Sequence, residues 1–206
     1  MNTNAIKQVM DSILPLNAEC WEDFNSFFTI RNVKKGEIIL DHDEICKHVY
    51  FVNNGLMRCY YFTPEGREIT GEFFDENRFL TDYFSFSTQK PSTTLFQALE
   101  ESELISIPRP AVYLMYDKYH AGERFGRLIA ERSYIELMDS ILAEKTMSPE
   151  QRYKKLISER AELLERVSLN MIASYLRITP EHLSRIRKKM ATTSVAKKQK
   201  IKLKVA

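Results

Sequence analysis

Residues 172–190, IASYLRITPEHLSRIRKKM, constrain this chain more than any other stretch. Ile172, Leu176, Ile178, Leu183 and Ile186 mark one apolar face across two short helical segments. Ala173 stands early in the first segment, where a small side chain lets two crossing helices approach closely. Between the segments, Thr179 reads as an N-cap, Pro180 suits the first helical position, and Glu181 complements the helix dipole. The outward face of the second segment then carries Glu181, His182, Ser184, Arg185, Lys188 and Lys189. These are donors and acceptors for base edges and phosphates, presented on one rigid rod. The pattern predicts a helix-turn-helix whose second helix is shaped for the DNA major groove. A helix pair with a plain solvated face shares much of this pattern, so charge is the next test.

The whole chain is nearly neutral, with 30 Lys and Arg against 28 Asp and Glu, but its parts differ. Residues 147–206 hold 15 basic and 5 acidic residues, a net of +10, which leaves −8 on residues 1–146. A cationic C-terminal third on an anionic remainder is the electrostatic footprint of a polyanion partner, here double-stranded DNA. The segment from Ala196 to Ala206 alternates Lys with apolar residues, as either a basic edge strand or an arm would.

At 206 residues and 44% hydrophobic content the chain is long enough to bury a proper core. No run of about 18 uncharged apolar residues exists, so no membrane span is expected. The N-terminus, MNTNAIKQVMDSIL, has neither a basic region ahead of an apolar stretch nor a small-residue cleavage site, and it does not read as a signal peptide. Cys20, Cys46 and Cys59 are scattered and odd in number, fitting neither a disulfide framework nor a metal-ligand set. Reduced thiols and a cytoplasmic location are the expectation, with no metal and no cofactor.

Three pieces follow one another along the chain. Residues 1–30 read as short amphipathic helices anchored by Trp21, Phe24, Phe27 and Phe28. From Val33 to about Ile107 the pattern turns to strands. HVYFVNNGLMRCYYF is two β-rich runs around Asn53-Asn54-Gly55, a hairpin-type turn sequence, and Thr63-Pro64-Glu65-Gly66 marks a second turn. SELISIP closes the region before Pro110. Short strands divided by Gly, Asn and Pro predict an antiparallel barrel or jelly roll. Phe125, Leu128, Ile129, Ile135, Met138, Ile141 and Leu142 then recur at spacings of three and four, and Tyr134 and Leu137 widen the stripe. Such a helix packs its own roll on one side and a second body on the other. Ser148-Pro149-Glu150 opens a further helix through Leu156 to about Arg166, and Ser168 caps the first helix of the DNA-reading pair. The expected domains are 1–120, helices and roll; 121–147, dimerisation helix and hinge; and 148–206, the DNA-binding domain with its basic tail.

This order resembles the Crp/Fnr family of bacterial transcription regulators over roughly residues 20–190. The likeness is carried by KKGEIIL, by Val49-Tyr50-Phe51-Val52 spaced to Gly55, by PEGREIT, and above all by RVSLNMIASYLRITPEHLSRIRKK. The resemblance implies an α+β chain: a cyclic-nucleotide-binding-like β-roll, a long dimerisation helix and a winged helix-turn-helix. It implies a homodimer on a near-palindromic site, contact with RNA polymerase, and base contacts from Glu181, Ser184 and Arg185, which match the family's Glu-x-x-Ser-Arg. Two departures stand out. Arg177 occupies a turn position where glycine is common, and after Met190 the second half of the usual wing is not recognisable.

The resemblance also locates a ligand site, and there the residues differ. Family members that bind cyclic AMP hold its phosphate with a short helix opening Gly-Glu and a later Arg-Ser or Arg-Thr pair. Here Thr81 and Asp82 stand at the first pair, and Ser92 and Thr93 at the second, with no cation. An anionic phosphate facing Asp82 without a guanidinium would lie uncompensated, so the effector is expected not to be a cyclic nucleotide. Arg78 and Lys90 are the nearest cations in sequence. The aromatic run Tyr83, Phe84 and Phe86 beside hydroxyls suggests a pocket for a non-anionic small molecule, or aromatic core packing.

Enzymatic readings fail. His42, His48, His120 and His182 form no His-x-His cluster of a metal-dependent roll, and no Gly-x-Ser-x-Gly, P-loop or dinucleotide fingerprint occurs. The rival expectation is a dimeric ligand-sensing roll whose DNA-binding domain is degenerate.

Overall fold

The computed structural model describes residues 3–202, with side chains as far as Thr192. It falls into two compact units, Met1–Asp139 and Ser140–Ala206.

In the first unit, α1 (Asn4–Ile13) and α2 (Ala18–Ser26) precede eight short strands. These are β1 (Thr29–Val33), β2 (Ile38–Leu40), β3 (His48–Asn54), β4 (Met57–Phe62), β5 (Glu68–Phe74), β6 (Phe79–Leu80), β7 (Leu95–Ala98) and β8 (Ser102–Pro108), with α3 (Tyr83–Thr88) between β6 and β7. They form two four-stranded antiparallel sheets, ordered β1-β8-β3-β6 and β2-β7-β4-β5. The expected antiparallel roll is there. β3 and β8 are buried over consecutive residues, Tyr50 to Val52 and Leu104 to Ile107, with Phe51, Leu104 and Ile105 among those fully buried. Ile6 and Met10 of α1 and Cys20 and Phe24 of α2 join the same core.

One turn differs from expectation. β3 and β4, on either side of Asn53-Asn54-Gly55, lie in different sheets and do not pair. The chain crosses between sheets there, and Gly55, at φ 99°, lies against Ser102, where a Cβ would come within 2.3 Å of its hydroxyl. The Gly55 amide donates to the Glu76 carboxylate at 2.9 Å, and the Leu56 carbonyl accepts from Leu99 at 2.8 Å. An Asn-Gly pair supplies a turn conformation but does not choose the partner strand. The true hairpin is the second turn. β4 pairs with β5, and the Thr63–Arg67 loop closes with Gly66 donating to Thr63 at 2.8 Å.

α4 (Arg109–Lys118) leads into the 27-residue α5 (His120–Thr146). Phe125 is buried in the roll's core and Ile129 packs on it. Farther along, Tyr134, Ile135, Leu137, Met138, Ile141 and Leu142 are all exposed. The predicted stripe therefore has its roll-facing half covered and its other half open.

The second unit begins within α5 and continues with α6 (Pro149–Glu159), α7 (Leu163–Arg166), α8 (Leu169–Tyr175) and α9 (Pro180–Lys202). Ser148 opens α6 with a complete capping box, its hydroxyl accepting from Gln151 and its amide donating to the Gln151 side chain. That helix ends at Glu159, not near Arg166: Arg160 leaves helical backbone at φ −148°, ψ 53°, and α7 is a separate turn. Leu163, Ile172, Ala173 and Leu183 are fully buried, with Tyr153, Leu156, Leu176 and Ile186 around them. Among the described residues no strand follows β8. α9 runs to Lys202, so the expected wing is not found, and the basic segment is helical that far, neither strand nor arm. Residues 203–206 of that segment lie outside the described residues.

Candidate nucleic-acid interface

The helix-turn-helix is built by local signals. Ser168 accepts from the Met171 amide at 3.3 Å and starts α8, and Thr179 accepts from the His182 amide at 3.2 Å and starts α9. Between them the chain makes a Schellman motif. The Arg177 amide donates to Ser174 and the Ile178 amide to Ala173, both at 3.0 Å. Arg177 occupies the left-handed position at φ 55°, where glycine is usual; a side chain there costs about 1–2 kcal/mol. Ala173, fully buried, is the close-approach point expected for it.

On α9, Glu181, Ser184, Arg185, Lys188 and Lys189 are exposed and His182 is half-buried. Positions 181, 184, 185 and 188 follow at three, four and seven, so one side of the helix carries them together. The Glu181 carboxyl is held below its usual range by the helix-start amide, the Thr179 hydroxyl and Arg185. Lys189 is committed elsewhere: its Nζ lies 2.8 Å from Glu150 on α6, which also binds Lys154 at 2.8 Å. Lys154 and then Lys189 pull the Glu150 carboxyl down to about 2. Of the six polar groups on that face, Glu181 and Lys189 are thus engaged within the protein.

Sequence reasoning missed Arg152. Its guanidinium reaches carbonyls at the end of α5 and the Leu176 carbonyl at the end of α8. No motif signals it, because it is one arginine on an ordinary helical face.

At Thr81, Asp82 and Ser92, which the resemblance sets at a ligand site, the polar groups bond within the protein. Asp82 caps α3, its Oδ1 accepting from the Ser85 amide at 3.1 Å. The fully buried Ser92 donates to Asp82 Oδ2 at 2.5 Å. Thr81 donates to the His48 carbonyl at 3.1 Å, and the Ser85 hydroxyl donates to the Lys90 carbonyl at 2.6 Å. Thr93 is exposed. Asp82 and Ser92 are thus bonded to each other, and no cation takes part in that bond. Arg78 does not substitute: it is 3.2 Å from Glu136 and leans over Phe74, while Lys90 is exposed. Tyr83 and Phe84 are 63% and 60% exposed, and Phe86 is buried against Tyr113. The three aromatics therefore do not wall a common cavity. Burial, with smaller contributions from Tyr83 and Tyr113, pushes the nearby Tyr116 phenol up to about 12.

Residues 30–119 match the family model of the cyclic nucleotide-binding domain. FixK2 from Bradyrhizobium japonicum superposes with a TM-score of 0.70 at 18% identity, covering 81% of this chain and 86% of its own. A crp/fnr-family protein from Eubacterium rectale gives 0.66 at 21% identity, with 86% and 85% covered. The chain has the Crp/Fnr fold. The c-di-GMP-responsive global regulator CLP of Xanthomonas campestris matches similarly, at 0.68 and 15% identity over 86% of this chain and 93% of CLP. No curated protein sequence matches. Among the described residues no helix is long and apolar enough to cross a membrane.

Proposed function

We propose that this Crp/Fnr-fold chain is a homodimeric, sequence-specific DNA-binding transcription regulator of the cytoplasm whose effector is not a cyclic nucleotide. The observation that carries the reading is α9: a capped helix presenting Glu181, Ser184, Arg185 and Lys188 to solvent from one side. A helix of this kind fits the major groove, where the Arg185 fork suits the O6 and N7 acceptors of guanine and Glu181 suits the amino group of cytosine. Lys188 and Ser168 suit phosphates, which fix register without reading sequence. A single such helix offers little interface. Two copies in successive grooves would give a near-palindromic site, and the open apolar half of α5 supports pairing of two chains. Control of transcription then runs through RNA polymerase, as the fold's regulators imply.

The roll's part in this reading rests on the Ser92–Asp82 bond. A cyclic phosphate entering there would have to break it and face a carboxylate with no guanidinium beside it. The protein therefore binds DNA without a ligand or answers a non-anionic one.

The test is fluorescence anisotropy on duplexes selected from random sequence. We expect Arg185→Ala to weaken the selected site by about 1–3 kcal/mol and to relax preference at one base pair. Lys188→Ala should weaken all sequences alike and reduce the salt slope by about one. Unchanged discrimination in Arg185→Ala refutes the reading face, and a clear calorimetric titration with cyclic AMP or cyclic GMP refutes the ligand assignment.

A further inference from the structure

Two helix ends converge on one side chain, Arg152 of α6. One Nη donates to the Met147 carbonyl at 2.8 Å and to the Glu144 carbonyl at 3.3 Å, at the C-terminal end of α5. The other Nη donates at 2.8 Å to the Leu176 carbonyl, the C-cap of α8. Carbonyls in the last turn of a helix have no partner inside it, and they carry the negative end of the helix dipole. A planar, permanently charged fork can satisfy two such ends at once, which a lysine could not do with fixed geometry.

A second arginine crosses the same junction. Arg177, in the left-handed position of the turn between α8 and α9, places its Nε 3.8 Å from the Glu144 carboxylate of α5. Glycine would fill that position without strain, so the arginine is there at a conformational cost. Its side chain reaches α5, which Arg152 also grips. Glu144 is the shared target, through its carbonyl for Arg152 and its carboxylate for Arg177. Every group involved lies within Ser140–Ala206, so the junction is a property of that unit alone.

We propose that Arg152 and Arg177 are positioning residues that lock the reading pair α8–α9 onto the last turns of α5. In the dimer this sets the separation of the two α9 helices, and so the spacing between half-sites, independently of which bases each half-site contains. The lock follows from the geometry of the second unit; its effect on spacing rests on the DNA-binding reading above.

Two measurements separate these layers. The first needs no DNA. Spin labels at Ser140→Cys on α5 and Arg187→Cys on α9, both exposed positions, are placed in a Cys59→Ser background, since Cys20 and Cys46 are buried. Labelled protein is diluted with unlabelled protein so that each dimer carries one labelled protomer. Electron–electron distance measurement should give one narrow distribution, broadened or split in Arg152→Gln and in Arg177→Gly. The same narrow distribution in both variants overturns the lock. Arg177→Gly keeps the test valid if Arg152→Gln does not fold, because glycine accepts φ 55° and its melting temperature should not fall.

The second measurement compares a selected two-half-site duplex with copies lengthened by one base pair at the centre. Each variant should lose about tenfold of the wild-type preference for native spacing, while discrimination within a single half-site stays unchanged. Intact spacing preference in folded variants overturns the proposed consequence. A wild type that discriminates no duplex refutes the DNA-binding reading instead, and the distance measurement still decides the lock.

Discussion

In the dimer proposed above, Ile135 is the position where the pairing can be broken with least harm to the protomer. It is 66% exposed, and Met138 and Leu142, three and seven residues on, continue its face of α5 with 44% and 58% exposure. Fully burying an isoleucine side chain contributes about 1.5–3 kcal/mol, so about 1–2 kcal/mol remains to be gained at this position. A twofold interface uses each residue twice, which doubles the figure to about 2–4 kcal/mol per dimer. Ile135→Asp forfeits that gain and adds two carboxylates to an apolar seam, where they are desolvated without partners. The dimer dissociation constant should therefore rise by roughly 30-fold to 1,000-fold. The aspartate stays in solvent in the separated protomer, so circular dichroism and melting of the monomer should be nearly unaffected. Sedimentation velocity across the micromolar range gives the constant directly. A wild-type monomer in that range, or an Ile135→Asp dimer with an unchanged constant, refutes the argument. Leu128, half-buried, is a poorer choice, because aspartate there would also disturb the protomer.

Other perturbations test the remaining parts of the structure. Glu150→Gln should release Lys189 toward DNA, tightening non-specific binding and increasing the magnitude of the salt slope; an unchanged slope would show that Lys189 stays off the DNA in either case. Since Lys154 and Lys189 depress the Glu150 carboxyl to about 2, its ion pairs contribute fully above about pH 4.5 and are lost as pH falls toward 2. A carbon NMR titration of that side chain should have its midpoint near 2, and a midpoint above 4 would dissolve the proposed pairing. Gly122→Ala sets a Cβ 2.5 Å from the Met115 carbonyl oxygen where α4 meets α5. It should lower stability by about 1–3 kcal/mol in thermal unfolding; an unchanged melting temperature would mean that the two helices separate freely.

What could be read from the sequence was what short-range chemistry decides. Ser148, Ser168 and Thr179 each cap a helix through the amide three residues on, so those starts are visible in a handful of letters. The apolar face of the reading pair was legible for the same reason, and so was the strained turn at Arg177. Strand partners were not. Asn53-Asn54-Gly55 gives a turn whichever strand follows, and the contacts that go with β4 entering the other sheet come from Glu76, Leu99 and Ser102, far along the chain. The end of α6 at Glu159 carries no proline or glycine, and helix-favouring residues continue beyond it. In the candidate site, Lys189 looked free because its partner Glu150 is 39 positions earlier, and Arg152 looked ordinary because its partners are backbone carbonyls. The aromatics beside Asp82 fitted either a pocket or core packing, and the structure points Tyr83 and Phe84 to solvent and only Phe86 inward.

The segment from Thr81 to Thr94 is held together by bonds that start from Asp82. One oxygen caps α3 at the Ser85 amide, and the other takes the Ser92 hydroxyl, which itself accepts from the Thr94 amide at 3.0 Å. Ser85 extends the closure, accepting from the Cys46 amide at 2.9 Å and donating to the Lys90 carbonyl. Ser85 and Ser92 are both fully buried, so these bonds lie away from water, where breaking them leaves polar groups unsatisfied. An anion would have to displace a hydroxyl from a carboxylate and then sit beside that carboxylate, losing on both counts. These bonds are all internal to the chain. On the reading proposed above, a change of state would begin elsewhere than at Asp82 and Ser92.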